Sequence, residues 1–315
     1  MMNQVTSVTL VPDRPSATYT SGEVVTGHCI VTVTGEMDFD CIEIKLVGKS
    51  RVEIPTNDSS RNNNDKNNGF DKYIKELSLL ELVYKPSTVY HSKLSTGKHD
   101  IGYSFIVPPN VPSSYDAQFG FIRYKIKAKA GSEKNEFVLS IISPPSISPN
   151  ELLIPIMENK SKNIGLLNGK TVLLHCEIPR SGFTLGTKVP IKCTINNQSL
   201  KRIVLKGALR QEVTFKAHEE ERKLMQKLSS VMGATIEPQS ELTHDMNIAI
   251  PVNLPIVYNT CPIIQIQYMV TAKLKIPLSF DLRMNMPIII TNLPINEPSN
   301  NADAPPAPGI INPQF

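Results

Sequence analysis

Tryptophan is absent from this 315-residue chain, and aromatic residues make up only 6% of it. Rings set among basic strands, on which nucleobases would stack, are therefore poorly provided. Long apolar runs are missing as well. No segment approaches the roughly 18 uninterrupted apolar residues of a membrane helix, and the start, MMNQVTSVTLVPDRP, lacks a basic stretch followed by an apolar one. Neither secretion nor a membrane span is expected. Charge of one sign is also scarce: the formal net charge is only +4, too mild for a nucleic-acid binder.

The motifs of catalysis are equally wanting. There is no CxxC, GxSxG or GxGxxG. Gly165 to Thr171 (GLLNGKT) looks like a phosphate loop, but it has one residue too few between its glycines to wrap phosphates, and it leads into a strand. His218-Glu219 begins a zinc-protease string, but Arg222 stands where the second zinc ligand belongs. The histidines are scattered. No catalytic residue, cofactor or metal is expected, and the chain reads as a binding protein, not an enzyme.

Five cysteines, Cys29, Cys41, Cys176, Cys193 and Cys261, lie far apart in apolar or strand-like stretches. An odd, dispersed set is expected to be buried reduced thiols of a cytosolic protein. The sequons at Asn57, Asn159 and Asn197 then carry no glycan. Cys261 is the one candidate reactive thiol, because it stands at the mouth of a strand where partial exposure would activate it; burial is the competing reading.

What the chain does have is alternation at period two. Val5 to Val11, Glu23 to Val33, Ile42 to Ile54, Ile101 to Val107 and Phe121 to Ala130 alternate β-branched or aromatic residues with polar ones. The second half repeats the style in Thr171 to Ile178, Lys188 to Ile195, Arg202 to Lys216, Met246 to Ile250, Ile263 to Lys275 and Leu282 to Ile290. The 25 prolines and 16 glycines punctuate these runs, as suits strand ends and loops. Only His218 to Leu228 has a helical look, with Leu224, Met225 and Leu228 on one face; a charged hairpin excursion is the other reading.

The halves also match each other. Tyr19, Gly22, Val25 and Cys29 recur as Phe183, Gly186, Val189 and Cys193, all displaced by 164 positions. Two tandem immunoglobulin-like β-sandwiches follow: residues 1–150 and 164–295, with a linker at 151–163. A polar loop at about 55–71 and a proline-rich tail at 296–315 are expected to be disordered. The basic excess sits in the second half, where residues 159–315 hold 17 Lys+Arg against 11 Asp+Glu, while residues 1–158 hold 16 against 18. That imbalance favours acidic peptides or an anionic membrane surface. Arg123, Lys125, Lys127 and Lys129 share one strand face and are candidate partner-binding residues for phosphate or carboxylate, or else an ordinary solvated face.

In order and spacing these segments resemble the arrestin family, specifically the α-arrestins or arrestin-domain-containing proteins. The likeness rests on YTSGEVVTGHCIVTV (Tyr19 to Val33), IEIKLVGKSRVE (Ile42 to Glu53) and LSTGKHDIGYSFIVPPNVPSSYDAQFGFIRYKIKA (Leu94 to Ala128). In the second half it rests on IPRSGFTLGTKVPIKCTINNQS (Ile178 to Ser199), RQEVTFKA and CPIIQIQYMVTAKLKIP (Cys261 to Pro277). It covers about residues 5 to 295. The resemblance implies an adaptor for membrane-protein cargo, receptors or transporters, working with ubiquitin ligases or coat proteins in endocytic sorting, protein transport or turnover. It implies a cytoplasmic protein, peripheral at the plasma membrane or endosomes. A structural subunit of an endosomal sorting coat and a thiol-linked signalling regulator are the alternatives. Departures from the family are specific. Val8 to Pro15 (VTLVPDRP) has no paired lysines of the phosphate-sensing kind. Pro108-Pro109-Asn110-Val111, Pro144-Pro145-Ser146-Ile147 and Pro305-Pro306-Ala307-Pro308 lack the tyrosine of the ligase-recruiting PPxY motif. Leu79 to Val83 approaches a clathrin box without its terminal acid.

Overall fold

The computed structural model of the chain describes residues 4–56, 72–88, 93–143, 147–165, 169–255, 261–291 and 295. Most of the segment expected as a disordered loop, the whole expected tail, and the Pro-Pro pairs at 144 and 305 lie outside these.

The first half folds into β1 (Gln4–Pro12), β2 (Thr18–Thr20), β3 (Val24–Thr34), β4 (Ile42–Pro55), β5 (Lys72–Tyr84), β6 (Gly97–Ile106), β7 (Tyr115–Ala117), β8 (Gly120–Ala130) and β9 (Glu133–Ile142). After one helical turn, α1 (Pro149–Leu152), the second half adds β10 (Ile156–Ile164), β11 (Lys170–Ile178), β12 (Gly182–Thr184), β13 (Lys188–Asn197) and β14 (Ile203–Ala217). It closes with β15 (Glu220–Ile236), β16 (Ser240–Ala249), β17 (Ile264–Lys275) and β18 (Leu282–Thr291). Each half pairs a small sheet with a larger one. In the first, β1-β3-β6 faces β2-β9-β8-β4-β5, with β7 on β8; in the second, β10-β11-β13-β16 faces β12-β18-β17-β14-β15. This is the expected all-β architecture of two sandwiches.

Alternation explains the layering. Along β4 every second residue, Ile42, Ile44, Leu46, Val52 and Ile54 among them, is buried, and the intervening Glu43, Lys45, Arg51 and Glu53 stay at the surface. The internal repeat is structural. Tyr19 sits in β2, which pairs parallel with β9, and Phe183 sits in β12, which pairs parallel with β18. The glycines three residues on, Gly22 and Gly186, have φ of +90° and +76°, a region in which a side chain is strained. Val25, Cys29, Val189 and Cys193 are all fully buried.

One local expectation is corrected and one open reading is decided. Residues 156–163, placed in the linker, belong to β10, the edge strand that pairs with β11 from Ile156↔Ile178 to Ile164↔Lys170. Its side chains are mostly exposed, so no apolar alternation announced it. Of the two readings of His218 to Leu228, the hairpin holds: β14 turns at His218, whose φ is +56°, and returns as β15. Leu224 and Leu228 are four apart, a spacing that one helix face and one strand face both satisfy.

Candidate protein-binding surface

β8 carries the expected cationic stripe. Ile122, Tyr124, Ile126 and Ala128 point into the first sandwich and are buried, which turns Arg123, Lys125, Lys127 and Lys129 outward together. β4 lies beside it in antiparallel register, with Lys49 opposite Arg123, Lys45 opposite Lys127 and Glu43 opposite Lys129.

The stripe is largely neutralised from within. Arg123 Nε donates to Asp116 at 2.7 Å and stacks on the Phe121 ring, its guanidinium carbon 4.1 Å from the ring centre. Lys125 donates to Glu136, and Lys127 lies 3.9 Å from the same carboxylate. The Lys125 hydrogen bond holds the Glu136 carboxyl below the usual range. On β4 and β5, Lys45 is bonded to Glu81 at 3.0 Å and Lys49 to Glu76 at 2.6 Å. Only Lys129 of the four stripe residues has no ion pair among the described residues. The face is therefore a mosaic of exposed ion pairs, each of small net worth. A partner would have to exchange these carboxylates for its own.

Cys261 is not partly exposed. It is 2% accessible and packed in the core near the junction of the domains, so the exposure that would make it reactive is not found. Cys29, Cys176 and Cys193 are buried as well, and burial pushes the Cys29 thiol up to about 12. Among the described residues no group of three or more His, Cys, Asp and Glu side chains could hold a metal ion. Among the same residues no helix is long and apolar enough to cross a membrane.

Asn197 and the Pro112-Ser113-Ser114 segment build turns. Asn197 of the Asn-Gln-Ser sequon is fully buried; its amide donates to Lys201 O and Glu237 O, both at 2.8 Å, and its oxygen accepts from Ser199. In Pro112-Ser113-Ser114, Ser113 Oγ accepts from Ser143 N and Ser114 Oγ from Ile141 N, which ties the segment to the end of β9. The sequence pattern gave no sign of the junction between the domains. There Phe119 meets Phe215, Gly120 lies against Ile264, and His218 Nε2 donates to Ile74 O at 3.1 Å. Nor did it reveal a second cationic surface, on β14, β15, β17 and β18, because its residues are far apart in sequence and only strand register gathers them.

This surface belongs to a recognisable body. Residues 8–138 match the arrestin (or S-antigen) N-terminal domain and residues 168–295 the arrestin (or S-antigen) C-terminal domain. The chain is 24% identical to human arrestin domain-containing protein 4 over 295 residues, which span 90% of this chain and 70% of that protein. It is 23% identical to human arrestin domain-containing protein 1, over 93% of this chain and 65% of that protein. Human arrestin domain-containing protein 5 is 26% identical over 94% of this chain and 90% of its own length. Both domains are matched in the family's order, on two sandwiches built as the repeat requires: the chain belongs to the arrestin family, as a member of its arrestin-domain-containing, or α-arrestin, branch.

Proposed function

We propose that the chain is a non-enzymatic adaptor that binds membrane-protein cargo, receptors or transporters, and couples it to endocytic sorting, protein transport or ubiquitin-linked turnover. The observation that supports this reading best is the match of both halves to arrestin domains, since members of this family act in general by binding other proteins. The large solvent-facing sheets suit that role: the β8 stripe and its β4 neighbours offer many charge-assisted hydrogen bonds around an open hollow of about 510 Å³ lined mostly by charged side chains. Such an adaptor works in the cytoplasm and meets the plasma membrane or endosomes through its cargo. Ubiquitin ligases or coat proteins are the second class of partner.

Affinity purification of the full chain from detergent-solubilised cells, followed by mass spectrometry, tests the reading. Receptors or transporters should be enriched together with ligase or coat components. Recovery of one stoichiometric coat complex without cargo would replace the reading with that of a structural coat subunit.

A further inference from the structure

On the outer face of the second domain's larger sheet, register brings like charges together. Lys206 on β14 lies directly opposite Lys273 on β17, which lies directly opposite Arg283 on β18, so three adjacent strands present three cations in one row. Two rows along, Arg210 on β14 faces Lys227 on β15. Like charges directly opposite on neighbouring strands are destabilising, so this arrangement costs the fold stability.

Between the two rows the side chains are small. Ala208 faces Ser230 on one side and Thr271 on the other. Ala208 is 8% accessible and Thr271 only 1%, although both belong to the outer face. They form the floor of a groove of about 420 Å³ walled by the long side chains of Lys206, Arg210, Lys227 and Lys273, with Arg283 next to Lys273 just outside it. Thr271 Oγ1 donates to Asn285 at 2.9 Å, which holds the floor in place.

The groove lacks counter-charge. Lys273 is paired with Asp281 at 2.6 Å, but Lys206, Arg210, Lys227 and Arg283 have no carboxylate partner among the described residues. Glu212, two positions beyond Arg210, is 3.8 Å from Lys223. Arg210 Nε is buried without an acceptor, and burial followed by repulsion from Arg283 lowers the Arg210 pKa. A partly buried guanidinium without an acceptor is costly, and an incoming anion relieves the cost. The β8 stripe, by contrast, has its own acids.

We infer that this groove on β14, β15 and β17, with Arg283 of β18 at its margin, is a docking site for an acidic protein segment, whose side-chain carboxylates bridge the Lys206–Lys273 row and the Arg210–Lys227 pair. The shape favours a polypeptide over a bilayer: the floor is recessed beneath the cations, where single carboxylates enter and a flat membrane surface does not. Met232, 65% exposed at the β15 rim, adds an apolar contact for the same segment. The inference rests on the adaptor reading only in taking the occupant to be part of a protein.

The probe is a fluorescein-labelled octaglutamate peptide, titrated with the full chain at about 50 mM salt, where screening is modest, and followed by fluorescence anisotropy. The native chain should bind it, and the Arg210→Gln/Lys227→Gln double variant should bind roughly tenfold more weakly, as expected for loss of charge-assisted contacts in a shielded groove. The charge-matched Lys98→Gln/Lys188→Gln variant, altered at exposed lysines elsewhere, should stay within about twofold of native. Arg210→Lys, which keeps the charge, separates binding from folding: it should bind better than Arg210→Gln at equal thermal stability. Absence of binding by the native chain, or equal weakening by the two double variants, overturns the inference. So does loss of binding to vesicles with about 20% phosphatidylserine on Arg210→Gln/Lys227→Gln while peptide binding is unchanged, which would assign the groove to a membrane. If membrane proteins are captured from cells but octaglutamate is not bound, the groove inference falls and the adaptor reading stands. Peptide binding without membrane-protein capture overturns the adaptor reading and leaves the groove in place.

Discussion

Phe119 and Phe215 meet edge to face, with ring centroids 5.8 Å apart and planes at 78°, and each belongs to a different domain. Phe215 is fully buried, whereas Phe119 is partly exposed. The pair sits where β8 and the segment before it approach β14, beside the contact of Gly120 with Ile264. Phe119→Ala should therefore weaken the junction by about 1 kcal/mol beyond the lost apolar area while leaving both sandwiches folded. Calorimetry should show one transition separating toward two. Phe215→Ala removes core as well and should cost about 3–5 kcal/mol.

Tyr124 Oη donates to Pro112 O at 2.6 Å in a fully buried setting. Tyr124→Phe keeps the ring but leaves that carbonyl without its donor, at a cost of about 1–3 kcal/mol in urea unfolding. Gly48 on β4 lies under the same ring, so Gly48→Ala should destabilise by a similar amount through overlap with Tyr124.

Glu136, Glu53, Glu76 and Asp281 are each held below the usual carboxylate range, chiefly by hydrogen bonds from Lys125, Lys72, Lys49 and Lys273 respectively. Groups whose pKa is depressed on folding add stability above the unfolded value, near 4, and lose it as pH falls through the folded one. Stability measured by urea unfolding should therefore hold from neutral pH to about 5 and decline below about 4.5. Because these side chains are substantially solvated, Glu136→Gln should cost less than about 1 kcal/mol at neutral pH and flatten that decline slightly.

Of the five cysteines only Cys41 is not fully buried. A colourless-to-coloured thiol reagent at mildly alkaline pH should modify Cys41 first and the other four only as denaturant opens the domains. Cys176 and Cys193, directly opposite on β11 and β13 with sulfurs 3.1 Å apart, should react together. Cys261→Ser should leave partner capture on a non-reducing gel unchanged; loss of a captured partner would revive the thiol-linked reading.

The eleven alternating runs read from the sequence all became strands, because half-burial writes itself as period two. Edges were harder to see. β10 is solvent-exposed along most of its length, and β15 carries charges on its outer face, so their strand character comes from hydrogen bonding to β11 and β14 and not from an apolar pattern. The β8 stripe was visible because its cations lie at alternate positions of one strand. Its acids were not, since Glu136 and Asp116 reach it from β9 and β7.

By itself, then, the sequence determined the all-β class, the twofold repeat and the family likeness, because alternation, positive-φ glycines and their spacing are local properties. The tertiary structure alone decided which cations are neutralised and which are left unpaired. Lys206, Lys273 and Arg283 become neighbours only through the register of three strands, and electrostatic energy depends on distance in space, not on separation along the chain.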